Sequence, residues 1–147
     1  MHWRFLDQVD RFEPWRAIAG RKAVSLEEYL LLRPLGRTGR FPESLVLECC
    51  VEIVRWLVAA SSGFAQTSYL SEVQEFRIER ETSMGDVLEV SASLARRDER
   101  RIEIKCRVDC SGNPVARGTI AVDLMPLGEA FDRAFVEGMW RELNGSA

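Results

Sequence analysis

Histidine is almost missing from this chain: among 147 residues the only one is His2, where a frayed terminus is the default expectation. The side chain best suited to acid–base work near neutrality is therefore absent from the interior. The four cysteines make no metal-ligand pattern, because Cys49 and Cys50 are helix neighbours pointing in different directions and Cys106 and Cys110 share one strand face without a second ligand pair. Buried free thiols in a reducing cytoplasm are expected, with a reactive thiol near Glu48 as the alternative, and neither a metal nor a cofactor is expected. Long apolar runs are lacking too. MHWRFLDQVD has no signal-peptide core, and the most apolar segment, 45–60, is too short and too charged to span a membrane. A net charge of -3 argues against nucleic acid as the main partner. No repeat, low-complexity tract or linker divides the chain, which reads as one domain.

What the sequence does have is concentrated between Arg33 and Ala60. An Arg- and Gly-rich loop, RPLGRTGR, runs into FPESLVLECCVEIVRWLVAA, a segment apolar nearly all round and so an enclosed helix rather than a surface one. Pro42 suits a first helical turn, and Glu43 beside it complements the positive end of the helix dipole. Ser44, Glu48, Glu52 and Arg55 fall on one stripe of this helix, which suits either a functional face or a solvated or dimer-facing edge with a Glu52–Arg55 ion pair. After Gly63 the period changes to two. SEVQEFRIER marks a strand through Val73, Phe76 and Ile78, although the step from Val73 to Phe76 breaks strict alternation. DVLEVSASLARR and RIEIKCRVDC alternate cleanly, and after the turn signal SGNP a further strand, VARGTIAVDL, follows. A buried helix and a four-strand antiparallel meander are predicted.

That order of elements, with particular residues, resembles the hotdog fold of the 3-hydroxyacyl-[acyl-carrier-protein] dehydratases. Leu6, Asp7, Val9, Glu13 and Pro14 match the family's opening LxDRVxExEPG, with Gln8 at its Arg and Trp15 at its Gly. KAVSLEEY matches KxVSxNEPF through Lys22, Val24, Ser25 and Glu28. Phe41, Pro42, Leu45, Leu47 and Glu48 fall on the MPGVLxLE helix entry, Met84, Gly85, Asp86 and Leu88 on PGDxL, and Val108, Asp109 and Val115 on VDGxxVA. The resemblance spans roughly Phe5 to Leu124 and implies an α+β hotdog fold, a long central helix wrapped by a curved antiparallel sheet of about six strands. Residues 1–127 would form the hotdog domain and 128–147 a helical extension of the same domain.

The departure lies at the catalytic histidine. The family's HFPGRPxMPG loop places a His fourteen positions before the helix Glu, and here that position is Pro34. Dehydrating a 3-hydroxyacyl thioester needs a base, an acid on the leaving oxygen, and N–H donors for the developing enolate. The resemblance assigns Glu48 as the catalytic carboxylate and the helix start around Pro42 and Ser44 as the oxygen-binding end. Arg33, Arg37 and Arg40 stay protonated and cannot replace the His as a base. Glu43, at a family Gly, and Glu52, at a family Gln, are accessory candidates, and two close carboxylates raise at least one pKa unless a cation such as Arg55 relieves it. Arg55 and Trp56 replace a usual Gly and Leu, large side chains where an acyl tunnel would run.

Arg37 and Arg40, with Phe41, Pro42, Ser44 and Trp56, are the candidate substrate-binding residues, the arginines for a phosphate of an acyl carrier arm or of coenzyme A, with a solvated loop as the alternative. The ARRDERR segment reads as a solvent-facing turn, or as a docking site for an acidic carrier protein. Phe131, Phe135 and Met139, with Trp140, give the tail an amphipathic pattern that packs by default on the domain's own sheet, or meets a partner or membrane surface. Three functions stay open: a dehydratase-like protein acting on or binding acyl thioesters, a thioesterase using Glu48, and a noncatalytic acyl-binding or scaffold subunit. The partners implied are acyl carrier protein or acyl-CoA, and a second copy in a homodimer or a His-bearing paralogue in a heteromer.

Overall fold

A computed structural model describes residues 6–25, 40–41 and 43–145, with the side chains of 40 and 41 excepted. The apolar run forms helix α1 (Glu43–Ser61), and Val46, Cys49, Cys50, Val51, Ile53, Val54, Trp56, Leu57, Val58 and Ala59 are all buried. A helix so enclosed needs a wrapper, and a curved six-stranded sheet supplies it. Its strands are β1 (Gln8–Glu13), β2 (Ala17–Ala23), β4 (Gln66–Ile78), β6 (Val87–Arg97), β7 (Arg101–Cys110) and β8 (Asn113–Pro126), and two short strands, β3 (Arg40–Phe41) and β5 (Thr82–Ser83), pair separately. Alternation in β6 and β7 turns Leu88, Val90 and Ala92, and Ile102, Ile104, Cys106 and Val108, onto the helix. A second helix, α2 (Arg133–Leu143), closes the chain.

The spatial order is β1-β2-β6-β7-β8-β4, antiparallel throughout. The predicted four-strand meander is therefore corrected. Strands β6, β7 and β8 do run hairpin to hairpin, but β4 pairs with β8 at the sheet edge, while β2 takes the place beside β6. A period-two pattern cannot carry this information, because it identifies the buried face of a strand and not its neighbour.

The broken alternation in β4 has a local cause. Register shifts lie between Leu70 and Glu72 and between Val73 and Glu75, so one extra residue enters at each place and bends the strand. Opposite the second shift stands Gly118, paired with Phe76. A Cβ there would collide with the Glu75 carbonyl oxygen and lie 2.7 Å from Phe76 Cδ2 and 2.9 Å from Phe76 Cα. Gly118→Ala is accordingly expected to cost about 1–3 kcal/mol, since backbone rather than a flexible side chain must move. A urea midpoint lowered at constant slope would show it, and an unchanged midpoint would mean that β4 yields.

Turn chemistry fixes the hairpins. SGNP makes a two-residue turn between β7 and β8 in which Ser111 (φ 50°) and Gly112 (φ 79°) are both left-handed, as such a turn requires. At the β6–β7 tip the Asp98 carboxylate accepts the backbone N–H groups of Arg100 and Arg101, each at 2.9 Å. These bonds, that from Arg100 first, hold the carboxyl below its ordinary pKa. A carboxyl depressed by folding adds stability above its unfolded pKa and loses it as the pH falls through the folded value. Asp98→Ala should therefore lower the Tm at neutral pH, with the gap to wild type closing in acid. A gap that stays constant with pH would contradict this account.

Trp15 stands where the resembled family has Gly, and its backbone is left-handed (φ 55°). That conformation costs a non-glycine residue about 1–2 kcal/mol. Two contacts offset it: the Trp15 N–H donates to Ser61 Oγ at 2.8 Å, tying the β1–β2 turn to the end of α1, and the Arg97 guanidinium lies 3.7 Å over the indole ring.

Candidate functional site

Three sequence segments far apart in the chain meet at the start of α1. Phe41 pairs through its backbone with Thr82, and Arg40 with Ser83. The Val24 N–H donates to the Asp86 carbonyl, the Gly85 N–H donates to the Val24 carbonyl (both 2.9 Å), and Asp86 Oδ2 accepts the Ser83 N–H at 3.0 Å. KAVS, the helix entry and the MGD turn are thus one assembly. The Thr82 hydroxyl beside it is buried and has no hydrogen-bond partner among the described residues. Glu43 and Ser44 open the helix and are exposed. Their position leaves first-turn N–H groups and the positive helix end directed toward the loop side. Pro42, Arg33, Pro34, Arg37 and His2 lie outside the described residues, as do the side chains of Arg40 and Phe41.

Along α1 the half-buried positions Glu48, Glu52 and Arg55 form one stripe, while the residues toward the sheet are fully buried. Glu48 and Glu52 are a turn apart, roughly 6 Å along the axis. One carboxylate oxygen of Glu52 is shut off from solvent. The stripe leads into a cavity of about 170 Å³ bounded by Glu52, Arg55, Trp56 and Ala59 of α1, Thr67 of β4, and residues from the tail. Trp56 therefore forms a wall, not a free plug: its ring stacks on Trp140, centroids 5.8 Å apart at 28°, and Trp140 meets Phe12 edge-on at 5.2 Å.

The tail packs on the domain's own sheet as expected, but only at the β1 edge, and it also meets α1. Asp132 caps α2 by accepting the N–H groups of Ala134 and Phe135, and Arg133 donates to the Gly63 carbonyl at 3.1 Å. The helix then lies against β1, the edge strand of the sheet, and also against α1, with Val136, Met139, Trp140 and Leu143 turned inward. Phe131 and Phe135, expected in the buried stripe, are 46% and 54% exposed at the cavity rim. Four-residue spacing drifts around a helix of 3.6 residues per turn, and Phe131 precedes the first turn altogether. Sequence reasoning placed Arg55 beside Trp56 on the acyl path but did not assign Ala59, Thr67, Val136 or Met139 to a site. These four are brought together only by tertiary packing.

The cysteines are all buried and free. The Cys50 thiol is pushed well above its ordinary pKa by a hydrogen bond to Cys106 and by burial, which leaves it a poor nucleophile. Among the described residues, no group of three metal-ligating side chains comes together, and no helix is long and apolar enough to cross a membrane.

A long helix enclosed by a curved antiparallel sheet makes this a hotdog protein. No family model matches the chain. In sequence it is distantly similar to the 3-hydroxyacyl-[acyl-carrier-protein] dehydratase FabZ of Lactiplantibacillus plantarum, 23% identical over 104 residues that cover 70% of this chain and 71% of that one. Among solved structures it is similar to the dehydratase heterocomplex ApeI:P of Xenorhabdus doucetiae (TM-score 0.70, 16% identity, 92% of this chain and 89% of that one). The fluoroacetyl-CoA thioesterase FlK is also similar (TM-score 0.68, 13% identity, 88% and 98%).

Proposed function

We propose that this chain binds acyl thioesters, on acyl carrier protein or coenzyme A, at the N-terminal half of α1, as a dehydratase-like protein with an altered acid–base set. The observation that carries the reading is Glu48: it lies one turn into the enclosed helix, half-buried, on the stripe that leads to an apolar cavity. The N–H groups at the helix start hold the thioester oxygen, and Glu48 handles the proton at the carbon alpha to it. Glu43 and Glu52 are accessory carboxylates. Phe41, Pro42, Ser44 and Trp56 are the substrate-binding residues in this reading, with Arg37 and Arg40 assigned by sequence to a phosphate of the carrier. The sequence likeness to FabZ supports dehydratase descent, and Pro34 at the His position supports the altered chemistry.

The fold shared with the fluoroacetyl-CoA thioesterase supports a second reading, in which Glu48 activates water against the thioester carbonyl. Incubation with 2-enoyl, 3-hydroxyacyl and saturated acyl thioesters on both carriers, read as intact product masses, separates the two. Gain or loss of one water with the thioester intact supports the first reading, and free acid supports the second. No turnover and no binding on either carrier would sink both.

The expected unit is a homodimer joined at β4. This is a thirteen-residue edge strand whose outer side is unpaired among the described residues and which exposes Tyr69 and Val73. The heterocomplex neighbour makes a heteromer with a His-bearing paralogue the alternative assembly. Light scattering of the purified chain distinguishes a dimer from a monomer awaiting a partner.

A further inference from the structure

The cavity between α1 and the tail is built from two sources that a plain hotdog domain does not combine. Its floor is the α1 face of Glu52, Arg55, Trp56 and Ala59, and its roof is Phe131, Phe135, Val136 and Met139. We infer that α2 closes a short acyl-tail pocket and that Ala59 and Phe135 set the length of chain this protein accepts. The inference rests on the acyl-thioester reading above and adds what that reading leaves open, namely which acyl chains fit.

The stripe gives the direction. A thioester held at the first turn of α1, with its reacting carbon near Glu48, directs its chain along Glu52 toward Trp56 and Ala59, since the sheet side of the helix is filled by buried side chains. The lining gives the chemistry. It is apolar apart from Glu52, Arg55 and Thr67, so an alkyl chain gains by entering and a hydroxylated or charged tail does not. The volume gives the length. An apolar cavity of about 150 Å³ holds a benzene ring, so the observed 170 Å³ accepts about six carbons at the end of the chain, beyond the roughly five that span the 6 Å or so from Glu48 to Glu52.

The end wall is firm while the rim is not. Trp56 is clamped between α1 and Trp140, and Asp132 and Arg133 fasten the start of α2. Phe135 at the rim is more than half exposed, so it can be trimmed without opening the core. Ala59 is 3% exposed but faces the cavity, so a larger side chain there enters existing space.

The test is calorimetric titration of the full chain with thioether analogues of acyl-coenzyme A and of acylated acyl carrier protein, from acetyl to dodecanoyl, which resist hydrolysis. For the wild type, affinity is expected to rise about fourfold per methylene until the pocket is full and then level off. Ala59→Leu adds three carbons to the cavity, so the break should move to chains about three carbons shorter, with acetyl binding unchanged. Phe135→Ala should move it the other way. In parallel, the Met139 methyl resonance, assigned with Met139→Leu, should shift with the decanoyl analogue and not with the acetyl one. Equal affinity for all lengths, or a break that neither variant moves, overturns the pocket and leaves the acyl-thioester reading standing. Binding of no analogue, whether carried on coenzyme A or on acyl carrier protein, overturns both.

Discussion

Glu48→Gln is expected to lower turnover of the acyl-thioester substrate by about 10²–10⁴-fold, the range by which a positioned general acid or base accelerates proton transfer. The substitution keeps the shape and hydrogen-bonding reach of the side chain and removes only its capacity to take up a proton. Substrate affinity should therefore change little, because N–H groups at the helix start and the apolar lining carry binding in this account. The fall should appear in kcat and in kcat/KM together. Since Glu48 is half-buried and outside the packed side of α1, the Tm should stay within a few degrees of wild type. Glu52→Gln provides the contrast: an accessory carboxylate one turn further along should cost much less. Turnover of Glu48→Gln within threefold of wild type would remove the carboxylate from the chemistry and leave a binding protein.

Trp56→Ala is expected to destabilise the fold by about 3–5 kcal/mol, the cost of truncating a buried aromatic. Set against a total stability of about 5–15 kcal/mol, that is enough to unfold a substantial fraction of the protein at physiological temperature. Trp56 is 7% exposed and holds three elements together, because its ring stacks on Trp140 and Trp140 in turn abuts Phe12 of β1. Trp140 is only half-buried, so Trp140→Ala should cost less and act mainly by loosening α2. The double variant should cost less than the sum of the two by about 0.5–1.5 kcal/mol, the coupling of an aromatic pair beyond its buried area. Guanidinium unfolding of the four proteins measures it. Strict additivity would show that the stack is a packing coincidence and that α2 is held by its other contacts, among them Val136, Leu143 and the Arg133 bond to Gly63.

Much of the fold was legible because burial leaves its period in the residues. The enclosed helix from Leu45 to Ala60 could be read from its lack of any sustained polar face, and β6 and β7 from clean alternation. SGNP announced its hairpin because only residues tolerant of positive φ serve both turn positions. The site was legible in part. The helix carboxylate could be located, but the meeting of KAVS, the helix entry and MGD at one end of α1 could not, because it rests on the hydrogen bonds that Val24, Ser83 and Asp86 make across the fold. The cavity was not, since its two halves lie some seventy residues apart and the spacing of Phe131, Phe135 and Met139 pointed to the wrong buried face.

The sequence by itself therefore determined the enclosed helix, the strands β4, β6, β7 and β8, the buried faces of β6 and β7, and that the chain has one helix needing to be wrapped. These are local properties, set by side-chain period and turn conformation. Only the tertiary structure decided that β4 pairs with β8 rather than with β6, that α2 meets α1 as well as the β1 edge of the sheet, and that Trp56 becomes a wall of a cavity. Each of those outcomes depends on which surfaces reach one another in space, and a residue pattern records only that a surface is apolar, not which surface covers it.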